Sequence, residues 1–199
     1  IKSIVSNDIE FDEKGQIYIL TGPNNGGKTV FLVSVGMAQI LSQLGMLIPA
    51  KAIEISPVDH IYVHFPKYSA NENTGRLEDE CIRIKQIFGS INKYSLCLFD
   101  ETFSSTDSEE GCLLAFEILR AIRNYGAYAI FGTHFHHLSR RIDEAKEDGE
   151  CDGFDYLNAG ILNGKHRTYK ITRGKPEGKS FASDIAAKYG LSYDSLISK

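Results

Sequence analysis

The chain has 199 residues, 42% of them hydrophobic and 24% charged, with a formal net charge of −4. That composition suits one sizeable core, and with no basic stripe visible it excludes a domain that grips nucleic acid by its own electrostatics. No apolar run approaches the ~20 residues a membrane span needs, and no signal-peptide pattern opens the chain.

Gln16–Thr21 (QIYILT) predicts a buried strand, and Lys28–Leu44 a helix ended by Gly45. Val58–Phe65 follows as a strand, then Arg76–Ile91 as a helix with charges on one side and Leu77, Cys81, Ile84 and Phe88 on the other. Ser95–Phe99 is a short apolar strand, Ser108–Tyr125 a helix and Ala127–Gly132 another buried strand. Glu144–Gly153 is polar and expected to be a loop. Phe154–Asn163 and Lys165–Thr172 flank Gly164 as a hairpin, and Ser180–Tyr189 and Ser192–Ile197 read as short helices. Strand–helix alternation through Thr133 predicts an α/β domain with a mainly parallel central sheet flanked by helices.

The four cysteines, Cys81, Cys97, Cys112 and Cys151, form no CxxC pair, and are expected to be buried free thiols in a reducing, cytoplasmic compartment. The absence of Met at Ile1 is read as the mark of a fragment. The expectation is a single domain over residues 1–199, cut from the C-terminal part of a longer protein.

Between the first strand and the first helix, Gly22, Pro23, Asn24, Asn25, Gly26, Gly27, Lys28 and Thr29 fill every fixed position of G-x-x-x-x-G-K-[ST]. Glycines let a phosphate chain approach backbone N–H groups, and the helix start adds partial positive charge. In a P-loop of this kind Lys28 would reach the β- and γ-phosphates and Thr29 would give its hydroxyl to Mg2+. The strand SLCLF ends in Asp100 and Glu101, which places two carboxylates at the carboxyl edge of the sheet, where α/β ligands bind. Asp100 is then the Mg2+ carboxylate, and Glu101 orients or polarises the attacking water. The long separation of Asp100 from Lys28 suits a large insertion, as in ABC-type ATPases.

Thr133–Leu138 (THFHHL) follows a buried strand. His134 there is read as a contact to the γ-phosphate or the water, against a structural role or a metal ligand; His136 and His137 are read as structural or surface residues. The loop Thr102–Asp107 would either line a subunit interface or cap the next helix.

Together these motifs resemble the ATPase domain of the MutS family of DNA mismatch-repair proteins, within the ABC ATPase superfamily. "TGPNNGGKT" is similar to the family's TGPNMGGKST, with Asn25 where Met is usual and one Ser/Thr fewer. "IPAKAIEISPVDHIY", "YSLCLFDETFSSTDSEEG", "GTHFHHL" and "GKSFASDIAAKYGLSYDSLI" resemble further family segments in the same order. The resemblance implies Mg2+-dependent ATP hydrolysis at a composite site between two head-to-tail domains, as a homodimer or with a MutS-like partner. DNA would be engaged through domains this chain lacks, with no membrane involved. It also implies adenine contacts near Ile4 and Val5. The serine the family places at the start of the second helix is replaced by the Thr74–Gly75 region, and "GRGTS" after the Asp-Glu by "FSSTD". That marks a divergent member. "STDSEEG" is similar to GTD-x-x-EG of a MutS branch linked to recombination control and ribosome rescue, which makes a nucleotide switch with little catalysis the alternative function. An ABC transporter subunit would need an LSGGQ-like signature, which "NTGRLEDE" does not supply.

Overall fold

Alternation along the central strands explains the layers. In Ile17–Thr21 (β1), Ile17 and Ile19 point to one core, and Tyr18 and Leu20 to a second core across the sheet. The same division separates Cys97 and Phe99 from Leu96 and Leu98 in Ser95–Asp100 (β3). In Tyr128–Gly132 (β4) it separates Ala129 and Phe131 from Ile130. Strands buried on both faces read as continuous apolar runs, and such strands belong in the middle of a covered parallel sheet.

The computed structural model describes residues 4–65, 75–162 and 166–175. Its single six-stranded sheet has the order β2-β3-β4-β1-β5-β6, where β2 is His60–His64, β5 Phe154–Leu162 and β6 His166–Arg173. β2, β3, β4, β1 and β5 are parallel, and β6 returns antiparallel to β5 as the second arm of the expected hairpin. Helix α1 (Lys28–Gln43) covers one face through Phe31 and Leu32, joined by Ile9 and Phe11 of the N-terminal segment. Helices α2 (Arg76–Phe88), α3 (Ser108–Asn124) and α4 (His136–Glu147) contribute to the core on the other face. The chain is thus a mixed α/β domain with helices on both faces of one sheet, as the alternation predicts.

Element limits differ from the sequence reading by one to a few residues, which is where helix ends fray. The larger difference is α4. Its last turn occupies Glu144–Glu147, inside the stretch expected to be a loop, and the eight residues before it, His136–Asp143, carry no predicted element. The helix is mostly charged, so its apolar signal is thin. Leu138, Ile142 and Ala145, spaced four and three apart, are nonetheless enough to seat one stripe on the core.

A second correction concerns the cysteines. Cys97, Cys112 and Cys151 are buried, but Cys81 is exposed. Helix α2 turns Glu80, Ile84 and Ile87 inward and leaves Cys81 on the outer side. The apolar stripe inferred for α2 was rotated because a buried carboxylate, Glu80, holds a place on the inner face. The two C-terminal helices expected at Ser180–Tyr189 and Ser192–Ile197 lie outside the described residues, as do Thr74 and the hairpin turn at Gly164. Among the described residues no helix is long and apolar enough to cross a membrane.

Candidate functional site

Parallel strands deliver their carboxyl ends to one edge, and three neighbours in the sheet, β3, β4 and β1, do so here. The strand ladders continue past the strand ends. Glu101 N–H donates to Gly132 O at 2.8 Å, and Thr133 N–H donates to Leu20 O at 3.0 Å. These bonds align Asp100–Glu101, Thr133–His134 and the loop after Thr21 along one edge, although they are far apart in sequence.

The loop Gly22–Thr29 leaves β1 and enters α1. Gly27, the residue before the helix, has φ 94°, and Gly22 has φ 136° with Ala159 so near that an added β-carbon would come within 2.6 Å of its side chain. Both backbone positions are open to glycine and costly for other residues. Asn25 adopts φ 59° at the exposed tip of the loop, a conformation Asn tolerates better than most side chains. Gly26 N–H donates to Pro23 O at 3.0 Å and closes the turn. Asn24 is exposed and Pro23 and Gly22 are partly buried.

Lys28 is 5% exposed, yet its ammonium is not isolated. Nζ donates to Gly22 O at 2.9 Å and lies 3.5 Å from Glu101 Oε1. Thr29 Oγ1 donates to Asp100 Oδ2. Asp100 Oδ1 is buried and has no hydrogen-bond partner among the described residues. A buried carboxylate oxygen without a partner is uncommon and costly, and a cation beside the Thr29 hydroxyl would satisfy it. Burial pushes the Asp100 carboxyl up from its ordinary value, and the Thr29 hydroxyl only partly opposes that shift.

Glu101 stands on a turn with φ 49° and is bonded through Oε2 to His134 Nδ1. Burial raises the Glu101 carboxyl. The His134 bond and the Lys28 charge outweigh that, and hold it below its usual value. The Glu101 bond likewise holds the His134 imidazole above its ordinary value, against partial desolvation. Lys28, Glu101 and His134 therefore form a connected row beside the Thr29–Asp100 pair. This arrangement can neutralise a polyanion, hold a divalent cation and hold a water molecule near a carboxylate.

Ile4 and Val5 are exposed and line the same groove as Asn24, Asn25 and Lys28. Tyr169 of β6 lines it too, and sequence reading missed this residue. Its ring lies beside Gly27, within 3.6 Å of where a β-carbon on Gly27 would sit, and it is half exposed with φ 57°. An exposed aromatic ring next to the loop offers a stacking face for a planar heterocycle. A single Tyr in the strand TYKIT carries no local sign of that placement, because the hairpin must first fold back onto β1's edge of the sheet.

Of the other residues singled out, Gly75 is the N-cap position of α2, with extended backbone and no side-chain cap. His137 is exposed. In the Thr102–Asp107 loop Asp107 caps α3: Oδ1 accepts from the N–H groups of Glu109 at 2.8 Å and Glu110 at 3.4 Å. Glu80 reaches this loop from α2 and accepts from Phe103 N–H at 2.9 Å.

The family described as MutS domain V matches residues 18–192. Endonuclease MutS2 of Staphylococcus aureus is 32% identical over 201 aligned residues, which cover 96% of this chain and 26% of that protein. The protein of the same name from S. aureus strain bovine RF122 / ET3-1 is 34% identical, covering 96% of this chain and 24% of its own length. The chain thus spans about a quarter of the length of these curated relatives.

Proposed function

This chain belongs to the MutS family as its domain V, the ATPase domain of MutS-like proteins, and from that premise we propose that it binds MgATP at Gly22–Thr29 and hydrolyses it. The observation that carries this reading is the buried Asp100 Oδ1, without a hydrogen-bond partner among the described residues, next to the Thr29 hydroxyl at the foot of a glycine-rich loop. The loop, together with the ABC-type P-loop architecture it implies, assigns each residue its work.

The backbone of Pro23, Asn24, Asn25, Gly26 and Gly27 cradles the phosphates, and Gly22 lets the loop turn tightly against Ala159. Lys28 exchanges its carbonyl contact at Gly22 for a phosphate oxygen and neutralises charge as it develops. Thr29 and Asp100 would hold magnesium, which when bound neutralises the terminal phosphates. Glu101 orients the attacking water, and His134 fixes the Glu101 carboxylate through its hydrogen bond. Ile4, Val5 and Tyr169 give the adenine an apolar and aromatic seat.

Nucleotide binding would draw two such domains together head to tail, as a homodimer or with a MutS-like partner. DNA mismatch repair or another form of DNA processing would then be carried out by domains outside this chain, in the cytoplasm. A second reading has its own support. The relatives just described are named endonuclease MutS2, and Ser105–Gly111 is similar to the GTD-x-x-EG segment, so the domain would serve as the nucleotide switch of a recombination-control or ribosome-rescue branch, with little catalysis. Steady-state ATPase measurements, with oligomeric state followed with and without a slowly hydrolysed ATP analogue, separate an enzyme from a switch. Either reading requires Lys28. In a titration Lys28→Ala is expected to lose tight ATP binding, and unchanged affinity would overturn the assignment of the loop.

A further inference from the structure

Glu101 reaches Lys28 and His134 only because the backbone turns sharply just after β3. Ser104 N–H donates back to Glu101 O at 3.2 Å, and both Glu101 (φ 49°) and Phe103 (φ 63°) take left-handed backbone conformations. Neither is glycine. Such residues persist where the surroundings over-determine them.

What over-determines this turn comes from a different element. Glu80 of α2 is 1% exposed. Its Oε2 accepts from Phe103 N–H at 2.9 Å and from Ser105 Oγ at 3.3 Å, while Arg76 Nε lies 3.6 Å from Oε1. From the edge strand β2, His64 Nδ1 meets Thr102 Oγ1 at 2.9 Å, with both residues buried. Phe103 itself is buried, and its carbonyl is pressed against Gly111 of α3, where an added β-carbon would come within 2.8 Å of it. The N–H that Glu80 receives belongs to the second left-handed residue, the one that completes the reversal. A charge-assisted bond to that group is stronger than a neutral one, and burial keeps water from replacing it.

We infer that Glu80 is a positioning residue for hydrolysis: its carboxylate clamps the Phe103 amide and so fixes the turn that presents Glu101. The inference rests on the reading that Glu101 orients the attacking water. It gives α2 a role besides core packing, because the helix begins at Arg76 and its first turns bring Glu80 onto the loop after Glu101. Movement at the start of α2 would pass through Glu80 to Glu101.

Two conservative variants of the 199-residue chain test the clamp. Glu80→Asp keeps the charge but withdraws the acceptor by one methylene. Glu80→Gln keeps the reach and a carbonyl acceptor but removes the charge. The expected result is that Glu80→Asp lowers kcat about tenfold or more with ATP affinity held, since small misplacements of a reacting group are costly. Hydrogen exchange at the Phe103 amide speeds up in the same variant. Glu80→Gln keeps the amide protected and retains most of the turnover. Undiminished kcat in Glu80→Asp would overturn the clamp, as would equal loss in the two variants. So would a joint fall in kcat, affinity and melting temperature, which assigns Glu80 to the fold alone. A wild-type chain without ATP turnover would overturn the hydrolytic reading and this inference with it, whereas wild-type turnover indifferent to Glu80→Asp removes this inference only.

Discussion

Glu101 is where opposing local influences are resolved. Burial alone would raise its carboxyl. Its bond to His134 and the nearby Lys28 ammonium reverse that direction. The same bond raises His134, so proton and charge are shared along the row in a way that favours an ionised carboxylate. Replacing Glu101 by Gln removes the charge while keeping the shape. The expected variant binds ATP but turns over at least about a hundredfold more slowly, the range typical for loss of a positioned acid–base group. Single-turnover kinetics with bound nucleotide checks this, and wild-type turnover would remove Glu101 from the reaction. The meeting of Lys28, Thr29, Asp100 and Glu101 was legible in the sequence, because a loop between strand and helix and an acidic strand end both fall at the carboxyl edge of a parallel sheet. Glu80 fits the family's pattern at the start of α2, but its contact was not legible, since its partner is a backbone amide 23 positions away.

At the scale of elements, local signals worked where they were dense. The three central strands are continuous apolar runs, and α1 and α3 were found to within a residue or two. Asp107 shows the physics of one boundary. Its side chain satisfies two of the orphan N–H groups at the start of α3, and Glu109 and Glu110 add negative charge to the same turn. Asp107→Ala is expected to cost about 1 kcal/mol of stability, with Asp107→Asn costing less, because Asn also caps well. Urea denaturation of the two variants measures the difference. A contrasting case is the outer side of α1, where Val30, Val33, Met37, Ile40 and Leu44 are all at least two-fifths exposed. Since they bury little on folding, Met37→Gln is expected to change stability by no more than about 0.5 kcal/mol, the usual range for surface substitutions. A larger loss in the same denaturation assay would show that this face is covered in the isolated chain. Helix α4 escaped sequence reading for a related reason. Its few apolar residues are separated by charges, and only the core they dock into distinguishes the helix from a polar loop.

At the scale of the whole molecule, the segment before β1 is tied to the edge strand β6. Residues near the start of the chain lie along β6: Asn7 Nδ2 donates to Tyr169 O at 3.0 Å, Ile171 N–H donates to Asn7 Oδ1 at 2.7 Å, and Lys170 Nζ donates to Ser6 O at 2.8 Å. Arg173 completes the strap, donating to Asp12 through both terminal nitrogens at 2.7 and 2.8 Å and to Asp155 at 2.5 Å. The Arg173 guanidinium holds the Asp12 carboxyl at about 2, below its ordinary 3.8, with backbone bonds from Gly15 and Lys14 adding to it against slight desolvation. A depressed carboxyl stabilises the fold above its unfolded value, and the contribution is lost as pH falls through the folded value. Between about pH 4 and 2 the unfolded chain binds the extra proton, so stability should drop across that window. Arg173→Gln is expected to flatten this part of the acid limb, read as denaturation midpoints at stepped pH. An unchanged slope would show that the strap is electrostatically idle.

The same strap matters for the candidate site, because it brings Ile4, Val5 and Tyr169 to the groove beside Gly27. Spacing and periodicity within the chain determined the glycine-rich loop, the acidic end of β3, the placement of His134 and the α/β alternation, since each depends on residues that are neighbours in sequence. Only the tertiary structure decided that Asp100 Oδ1 is buried without a partner among the described residues, that Tyr169 faces the loop, that Cys81 faces out and that Glu80 grips the turn behind Glu101. Those outcomes depend on which strands become neighbours and how each helix is rotated against the sheet. That is settled by competition among long-range contacts for one packed interior, and no local pattern records it.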